Sequence, residues 1–206
     1  MKVPMQLIKQ QTQSVYQNRA RDFDQERSRS LMEKSWLDSF LIDLPRGGSI
    51  LDLGCGSGEP IGAHLIQQGF ALTGIDYASA MIDIARERFP GQNWLVHDLR
   101  EPVPGGPFDG VVSWNGFFHL SPDEQVLALP TIAAQVKIGG NLMLTVGHEM
   151  GEVTGTVAGE TVYHASLAPE QYHAALSEVG FSDIHFQAQD PECGYHSVVL
   201  AKNKLA

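Results

Sequence analysis

The stretch Ile50–Pro60, ILDLGCGSGEP, places three glycines at every second position directly after a short apolar run. The apolar run is typical of a buried strand, and the residues after Pro60 favour a helix. In a strand-to-helix turn without side chains, a ligand can approach the backbone closely and meet the helix N-terminus. The stretch therefore predicts a ligand-binding turn between a strand and a helix.

Outward from this turn, strand and helix patterns alternate along the chain. The predicted strands lie at 49–53, 71–75, 93–97, 108–113 and 141–146, and the helices between them at 59–68, 78–89 and 122–136. This alternation implies right-handed crossovers and a parallel sheet with helices on both faces. After a helix at 169–179, two strands joined by a short turn predict an antiparallel hairpin at one edge. We therefore predict an α/β fold with a doubly wound, mostly parallel, Rossmann-like sheet of seven strands and an antiparallel last strand.

Two segments outside this alternation are predicted to cover the ligand. Residues 1–45 are expected to form a mostly helical lid, with helices at 6–18 and 22–44. The segment 147–168 is rich in glycine and irregular, which favours a loop or hairpin over the mouth of the site. Because no linker or repeat divides the chain, we predict one domain over residues 1–206.

The composition limits the classes of protein to which the chain can belong. Of 206 residues, 43% are hydrophobic and 18% are charged, which is typical of a soluble globular chain. The net charge of −10 repels phosphate backbones, so we predict no nucleic-acid partner. No apolar run reaches the ~20 residues that cross a bilayer, and no secretory signal is visible, so we predict no membrane partner and a cytoplasmic location. Two cysteines and eight histidines without tight ligand spacing predict no bound metal.

The spacing of the glycines and two acids indicate the type of ligand. Nicotinamide-binding turns follow the pattern G-x-G-x-x-G, but here Glu59 stands where that pattern has its third glycine. A glutamate beside a helix N-terminus would repel a pyrophosphate. Asp76, at the end of the second predicted strand, can accept hydrogen bonds from both ribose hydroxyls. The pattern predicts a nucleoside ligand without phosphate.

Five segments resemble, in order and spacing, the class I S-adenosylmethionine-dependent methyltransferases, and the resemblance extends over most of the chain. ILDLGCGSG is similar to the first motif of that family, and LTGIDYASAMIDIARERF to its second. WLVHDL takes the position of the third strand, PFDGVVSWNGFFHL resembles the fourth-strand motif, and VKIGGNLMLTVG resembles the fifth-strand segment. The resemblance implies S-adenosylmethionine as cofactor and methyl transfer as activity.

The resemblance also implies roles for single residues. Asp76 would hold the ribose hydroxyls, Asp52 would lie below the methionine end, and Asp98 would meet the adenine amino group. Tyr16 lies in a segment similar to the one that covers the cofactor in many small-molecule members. The complete set of cofactor-binding residues implied in this way is Tyr16, Asp52, Gly54, Cys55, Gly56, Gly58, Asp76, Tyr77, Met81, Asp98, Leu99 and Trp114.

The acceptor side is predicted from the residues that follow the fourth and fifth strands. His119 is the candidate catalytic residue, and three roles stay open for it: general base, substrate ligand or scaffold. The candidate substrate-binding residues are Phe118, His148, Tyr163 and His164. The fourth strand lacks the Pro-Pro-aromatic pattern of nucleic-acid amino methyltransferases, which favours a small-molecule acceptor.

Two other functions are compatible with part of this pattern. A methyltransferase-like protein could bind the nucleoside as a sensor or assembly partner without catalysis, since no catalytic base is assigned with certainty by the residues. An NAD(P)-dependent oxidoreductase would share the fold, but Glu59 and the missing third-spacing glycine disfavour it.

Overall fold

The computed structural model describes residues 4–205, whose centre is a seven-stranded sheet. In chain order, the strands of the protein are β1 (Ser49–Leu53), β2 (Ala71–Asp76), β3 (Asn93–Val96), β4 (Phe108–Ser113), β5 (Val136–Val146), β6 (Gly151–Val157), β7 (Glu160–Ser166), β8 (Phe181–Asp190) and β9 (His196–Lys204). The large sheet has the order β3-β2-β1-β4-β5-β9-β8. The strands from β3 to β5 pair in parallel, and β9 is antiparallel to both of its neighbours. Strands β6 and β7 form a separate antiparallel hairpin.

Helices cover both faces of the sheet. They are α1 (Met5–Asn18), α2 (Ala20–Glu26), α3 (Lys34–Leu41), α4 (Ile61–Gln67), α5 (Ser79–Arg88), α6 (Pro122–Ala134) and α7 (Pro169–Glu178). Alternate residues of β1 point to opposite faces, as the strand pleat requires. Leu51 and Leu53 pack with α6 and α7, whereas Ile50 packs with α3, α4 and α5. The predicted doubly wound sheet with helices on both faces is confirmed.

The order of the strands determines where a ligand can bind. β1 pairs with β2 on one side and with β4 on the other, so the connections from these strands run in opposite directions across the sheet. Such a reversal opens a crevice at the carboxyl ends of the strands. The glycine turn after β1, the acid at the end of β2 and the residues after β4 all lie at this crevice.

The structure differs from the sequence predictions in two segments, and in a third, 147–168, it has the hairpin of the two predicted alternatives, loop or hairpin. The predicted helix 22–44 is interrupted between α2 and α3, where Leu31 has a φ of +51°. No glycine or proline marks this break. The residues between the two helices form ion pairs, from Arg27 to the buried Glu33 and from Arg29 to Glu59. Strand β5 begins at Val136, five residues before the predicted start, and the irregular segment 147–168 contains the β6–β7 hairpin.

The predicted bounds of the domain and the predicted absence of a membrane partner can be compared with the structure only in part. The predicted domain and lid both begin at residue 1, and residues 1–3 and 206 lie outside the described residues. Among residues 4–205, no helix combines the length and apolar character that a bilayer crossing requires.

Candidate active site

The turn after β1 is held by hydrogen bonds that leave one side of its backbone open. The amides of Gly54 and Cys55 donate to the carbonyl of Ile75, over 2.8 and 2.9 Å. The amide of Gly56 donates to one carboxylate oxygen of Asp76 over 2.9 Å, and the amide of Ala78 donates to the other over 2.8 Å. Gly56 has a φ of +55°, and a Cβ placed on it would meet no protein atom within 4 Å. The turn therefore presents bare backbone to open space.

That open space is part of a cavity of about 560 Å³, a size typical of small-molecule sites. Of the seventeen predicted site residues, all but two line it. Those that line it are Tyr16, Asp52, Gly54, Cys55, Gly56, Asp76, Tyr77, Met81, Asp98, Leu99, Trp114, Phe118, His119, His148 and His164. The fold thus brings the predicted cofactor and acceptor residues around one continuous space. Their individual roles stay predictions.

Gly58 and Tyr163 do not line the cavity, and each has other contacts. A Cβ on Gly58 would lie 3.0 to 3.3 Å from the rings of Trp94 and Phe89, so this glycine allows aromatic packing beneath the turn. Tyr163 is fully buried, and its hydroxyl donates to the carboxylate of Glu152 within the hairpin. It therefore stabilises the hairpin and presents no side-chain group to an acceptor.

The acids at the end of β1 and β2 give the cavity a negative wall. Asp52 is only 3% exposed and accepts no hydrogen bond from residues 4–205. Burial and the nearby Asp76 raise its pKa to about 7. Burial likewise raises the pKa of Asp76, although three backbone amides oppose the effect. A buried carboxylate without donors is costly, and a cationic group in the cavity would relieve the cost. The two carboxyl groups at this end therefore favour a cationic ligand, such as a sulfonium amino acid, and disfavour a phosphate.

The raised pKa of Asp52 predicts a pH-dependent effect on stability. The carboxyl ionises near pH 4 in the unfolded chain but only near pH 7 in the folded one, so its protonated form stabilises the fold at low pH. This contribution is lost as the pH rises from 4 to 7. We expect Asp52→Asn to raise the free energy of unfolding by about 1–3 kcal/mol at pH 8 and by much less at pH 4.5. Urea denaturation at both pH values measures this difference, and an equal gain at both would contradict the assignment.

Asp98, predicted to meet the adenine, is paired within the protein. Its carboxylate accepts from the guanidinium of Arg100 and from the backbone amide of the same residue, which holds the pKa of Asp98 below its usual range although burial opposes this. Arg100 also contacts Glu124, which in turn pairs with Lys9 on α1. A chain of charges therefore joins Asp98 to α1.

The N-terminal helices α1 and α2 lie beside the cavity and form hydrogen bonds and ion pairs with several other elements. Thr12 on α1 accepts a hydrogen bond from the amide of Tyr163 over 2.9 Å, and Arg19 pairs with Glu160 at the hairpin tip. On α2, Asp24 pairs with Arg88 of α5 over 2.8 Å. Tyr16 and Phe23 pack edge to face, against Met81 and Ala20. Helices α1 and α2 thus contact both the β6–β7 hairpin and α5.

Glu59, which stands where nicotinamide-binding turns have their third glycine, also forms ion pairs with the neighbouring elements. Its carboxylate pairs with Arg29 over 2.5 Å and lies 3.4 Å from Arg88. These ion pairs link the glycine turn to the segment after α2 and to α5. The sequence gave no sign of this partnership, because the paired residues lie about 30 positions apart.

His119 is hydrogen-bonded at both ring nitrogens. Its Nδ1 lies 2.7 Å from the carbonyl oxygen of Tyr163 and must donate to it, since a carbonyl only accepts. The Nε2 is then the acceptor, and the hydroxyl of Tyr16 donates to it over 2.9 Å. Burial lowers the pKa of His119 to about 4 and raises that of the Tyr16 hydroxyl. With no free lone pair, His119 does not have the geometry of a direct general base, and the geometry supports its role in positioning Tyr16.

One wall of the cavity comes from the C-terminal hairpin, which sequence reasoning missed. Gly194 and Tyr195, before β9, and His196 and Ser197, at its start, line the cavity together with Trp114. His196 packs its ring 5.4 Å from that of Trp114, and its Nδ1 donates to the carbonyl of Cys193 over 2.8 Å. No signal in the sequence indicated this, because the turn reaches the site only through the pairing of β9 with β5.

Comparison with known proteins agrees with this geometry. Residues 50–140 match the model of a family described as a methyltransferase domain. Human probable tRNA methyltransferase 9B is 30% identical over 194 residues, which are 92% of this chain and 39% of that protein. Xenopus tropicalis tRNA (carboxymethyluridine(34)-5-O)-methyltransferase alkbh8 is 28% identical over 111 residues, 53% of this chain and 17% of that protein. Trans-aconitate 2-methyltransferase of Azoarcus sp. (strain BH72) is 28% identical over 122 residues, 58% of this chain and 47% of that protein. The chain spans less than half the length of each of these relatives.

The relatives correct the prediction about nucleic acid. We predicted no nucleic-acid partner from the net charge of −10, and this prediction is wrong, since two of these relatives are named as tRNA methyltransferases. The net charge sums over the whole surface, whereas binding depends on the local potential at the site. The overall charge was therefore too coarse to exclude RNA.

A solved structure shows the same fold over the whole chain. The 1,6-didemethyltoxoflavin-N1-methyltransferase of Burkholderia thailandensis, solved with 1,6-didemethyltoxoflavin and S-adenosylhomocysteine bound, matches with a TM-score of 0.69 at 19% identity. The match covers 100% of this chain and 92% of that one. The matched family model and this shared fold confirm the predicted resemblance to the class I methyltransferases, with S-adenosylmethionine as cofactor.

Proposed function

We propose that the protein transfers the methyl group of S-adenosylmethionine to an acceptor that binds beside Phe118, His119 and His164. The observation that carries this proposal is the single cavity that joins the glycine turn and Asp76 to the aromatic residues after β4 and on β7. When bound, the cofactor supplies a methyl group activated by its sulfonium charge. The protein then contributes proximity, orientation and exclusion of water.

The residues around the cavity have the chemistry to hold each part of this cofactor. The carboxylate of Asp76 would accept from the ribose hydroxyls, since each of its oxygens keeps a lone pair beside its backbone bond. Asp52 would balance the cationic methionine end. Met81 and Leu99 would contact the adenine, next to Asp98. In this proposal, residues 1–45 act as a lid and residues 147–168 bound the acceptor, all within one domain.

The two histidines packed together at the acceptor end, His119 and His164, are weak bases, because burial lowers the pKa of each. Both nitrogens of His119 are engaged, its pKa is lowered to about 4, and Tyr16 has a raised pKa. A nucleophile that must lose a proton would therefore react poorly here. A carboxylate needs no base, because it is already ionised at neutral pH. We propose a carboxylate acceptor, carried either by a small organic acid or by a nucleoside of RNA.

The names of two relatives are compatible with a carboxylate acceptor. Carboxymethyluridine and trans-aconitate, named for the Xenopus and Azoarcus proteins, are both carboxylic acids. One is part of a tRNA and the other is a small molecule, so the proposal names their shared chemistry and leaves the carrier to experiment.

The test is methyl transfer from tritiated S-adenosylmethionine into two separate pools from cell extract, tRNA and deproteinised small acids. We expect label in one pool, and we expect mild alkali to release it as methanol, because methyl esters hydrolyse whereas N-methyl and C-methyl groups do not. Label that resists alkali would overturn the carboxylate. Tight cofactor binding without transfer to either pool would instead favour the sensor function.

The lowered pKa values of His119 and His164 predict the pH dependence of turnover. His119 is neutral above about pH 4, so it does not change charge in the neutral range. With cofactor and acceptor saturating, we expect kcat to change by less than about threefold between pH 6.5 and 8.5. A steep limb near pH 6.5 to 7 in the kcat profile would show that a histidine takes the proton in the reaction.

A further inference from the structure

A second histidine, His164, is half-buried in the wall of the cavity, and its hydrogen bonding differs from that of His119. His164 lies on β7 and lines the acceptor end, and neither of its ring nitrogens has a hydrogen-bond partner among residues 4–205. A histidine that serves only as scaffold normally pairs at least one nitrogen, as His119 does with Tyr163. The free donor and acceptor of His164 are thus available to a ligand.

The ring of His164 is held in place by packing on three sides. Its centroid lies 4.5 Å from that of Phe118 and 5.1 Å from that of His119. On the third side it lies over Gly155, on the neighbouring strand β6. A Cβ on Gly155 would stand 2.4 Å from Cε1 of the ring and 3.1 Å from each nitrogen. The ring can occupy this position only because residue 155 has no side chain.

The strand register explains this arrangement. His164 is directly opposite Val153 in the hairpin, so Gly155 is its diagonal neighbour on the same face. Long or aromatic side chains reach such diagonal positions. Gly155 does not have a positive φ, so its backbone does not require glycine, and the contact with the His164 ring does.

We propose that His164, positioned over Gly155, donates the hydrogen bond that orients the acceptor, and that Gly155 is a positioning residue for it. This inference rests on the proposed function and deepens it. Burial lowers the pKa of His164, so at neutral pH the ring is uncharged, with one N–H and one lone pair. A neutral N–H donor can bind one carboxylate oxygen and leave the other free to attack the methyl group. No bond to His164 forms or breaks in the reaction.

The first part of the test replaces the ring nitrogens. His164→Phe keeps an aromatic ring over Gly155 but removes both polar atoms, and His164→Gln restores a donor at a similar reach. With tritiated S-adenosylmethionine and the pool that the wild-type protein labels, we expect His164→Phe to raise the apparent KM for that pool about 10-fold or more, the loss of one hydrogen bond to a charged group. The Kd for S-adenosylmethionine should stay within about twofold, and His164→Gln should recover part of the loss.

The second part tests Gly155 through its dependence on His164. Gly155→Ala should raise the same KM in the wild-type background and have a much smaller effect in the His164→Phe background, a coupling that a merely structural role would not produce. Gly91→Ala is the control, because a Cβ there meets no atom within 4 Å and Gly91 is outside the cavity lining.

The outcomes separate this inference from the proposed function. Transfer by His164→Phe with an unchanged KM would overturn the inference and leave the function standing, as would equal effects of Gly155→Ala in both backgrounds. No transfer by the wild-type protein to either pool would overturn the function and the inference together. A variant that loses cofactor binding as well would show that His164 supports the fold of the site and does not contact the acceptor.

Discussion

Gly56→Val is expected to abolish detectable binding of S-adenosylmethionine while the protein stays folded. A side chain at this position meets no protein atom within 4 Å and projects into the cavity, so it would occupy the space that the cofactor needs. A steric conflict with a bound ligand cannot be relieved by the rigid turn, whose amides are bonded to Ile75 and Asp76. We expect a loss of more than about 100-fold in affinity by isothermal titration calorimetry.

Part of the loss of affinity in Gly56→Val will come from backbone strain, because valine disfavours a positive φ. Gly47 provides a matched control for this strain. Gly47 also has a positive φ, +70°, with open space around an added Cβ, but it is exposed and lies outside the cavity lining. Gly47→Val should therefore lose similar stability, roughly 1–2 kcal/mol, and keep its cofactor affinity. If both variants bind equally well, the cofactor is not at this turn.

Asp76→Ala is expected to weaken binding of S-adenosylmethionine and S-adenosylhomocysteine by more than about tenfold, through the loss of hydrogen bonds from the ribose hydroxyls. The substitution has a second cost. The amides of Gly56 and Ala78 lose their acceptor, so the turn itself becomes less ordered before any ligand binds. Calorimetric titration with both ligands measures the loss of affinity, and thermal denaturation measures the loss of stability.

A comparison with Asp76→Asn and Asp83→Ala separates these two causes. Asn keeps one acceptor oxygen for a backbone amide but has less capacity for the ribose, so its stability should be closer to wild type while its affinity stays reduced. Asp83 is exposed on α5 and pairs only with Arg86, so its removal should change neither quantity. Unchanged cofactor affinity in Asp76→Ala would contradict the assignment of the ribose site.

The cofactor half of the site could be predicted because its residues are encoded in short segments. The apolar run of β1, the three glycines and the acid at the end of β2 each follow from a local pattern, and parallel strands bring their carboxyl ends to one edge. The start of α6 also depends on neighbouring residues, since the amide of Ser121 donates to the carboxylate of Glu124 in a capping box. One local prediction was nevertheless wrong, because the helix expected at 22–44 is interrupted between α2 and α3.

The acceptor half depends on contacts that no local pattern contains. His119 was correctly placed at the crevice, but its bonding state is decided by Tyr16, 103 positions away, and by Tyr163, 44 positions away. The difference between His119, which is fully bonded, and His164, which is free, arises from how α1 and the β6–β7 hairpin pack on the sheet. The sequence by itself determined the sheet, its glycine turn and the class of cofactor, because burial period and turn chemistry act over a few residues. Only the tertiary structure decided which histidine is free, which tyrosine is buried and which wall the C-terminal hairpin supplies, because hydrogen bonds between distant residues exist only after the elements have packed.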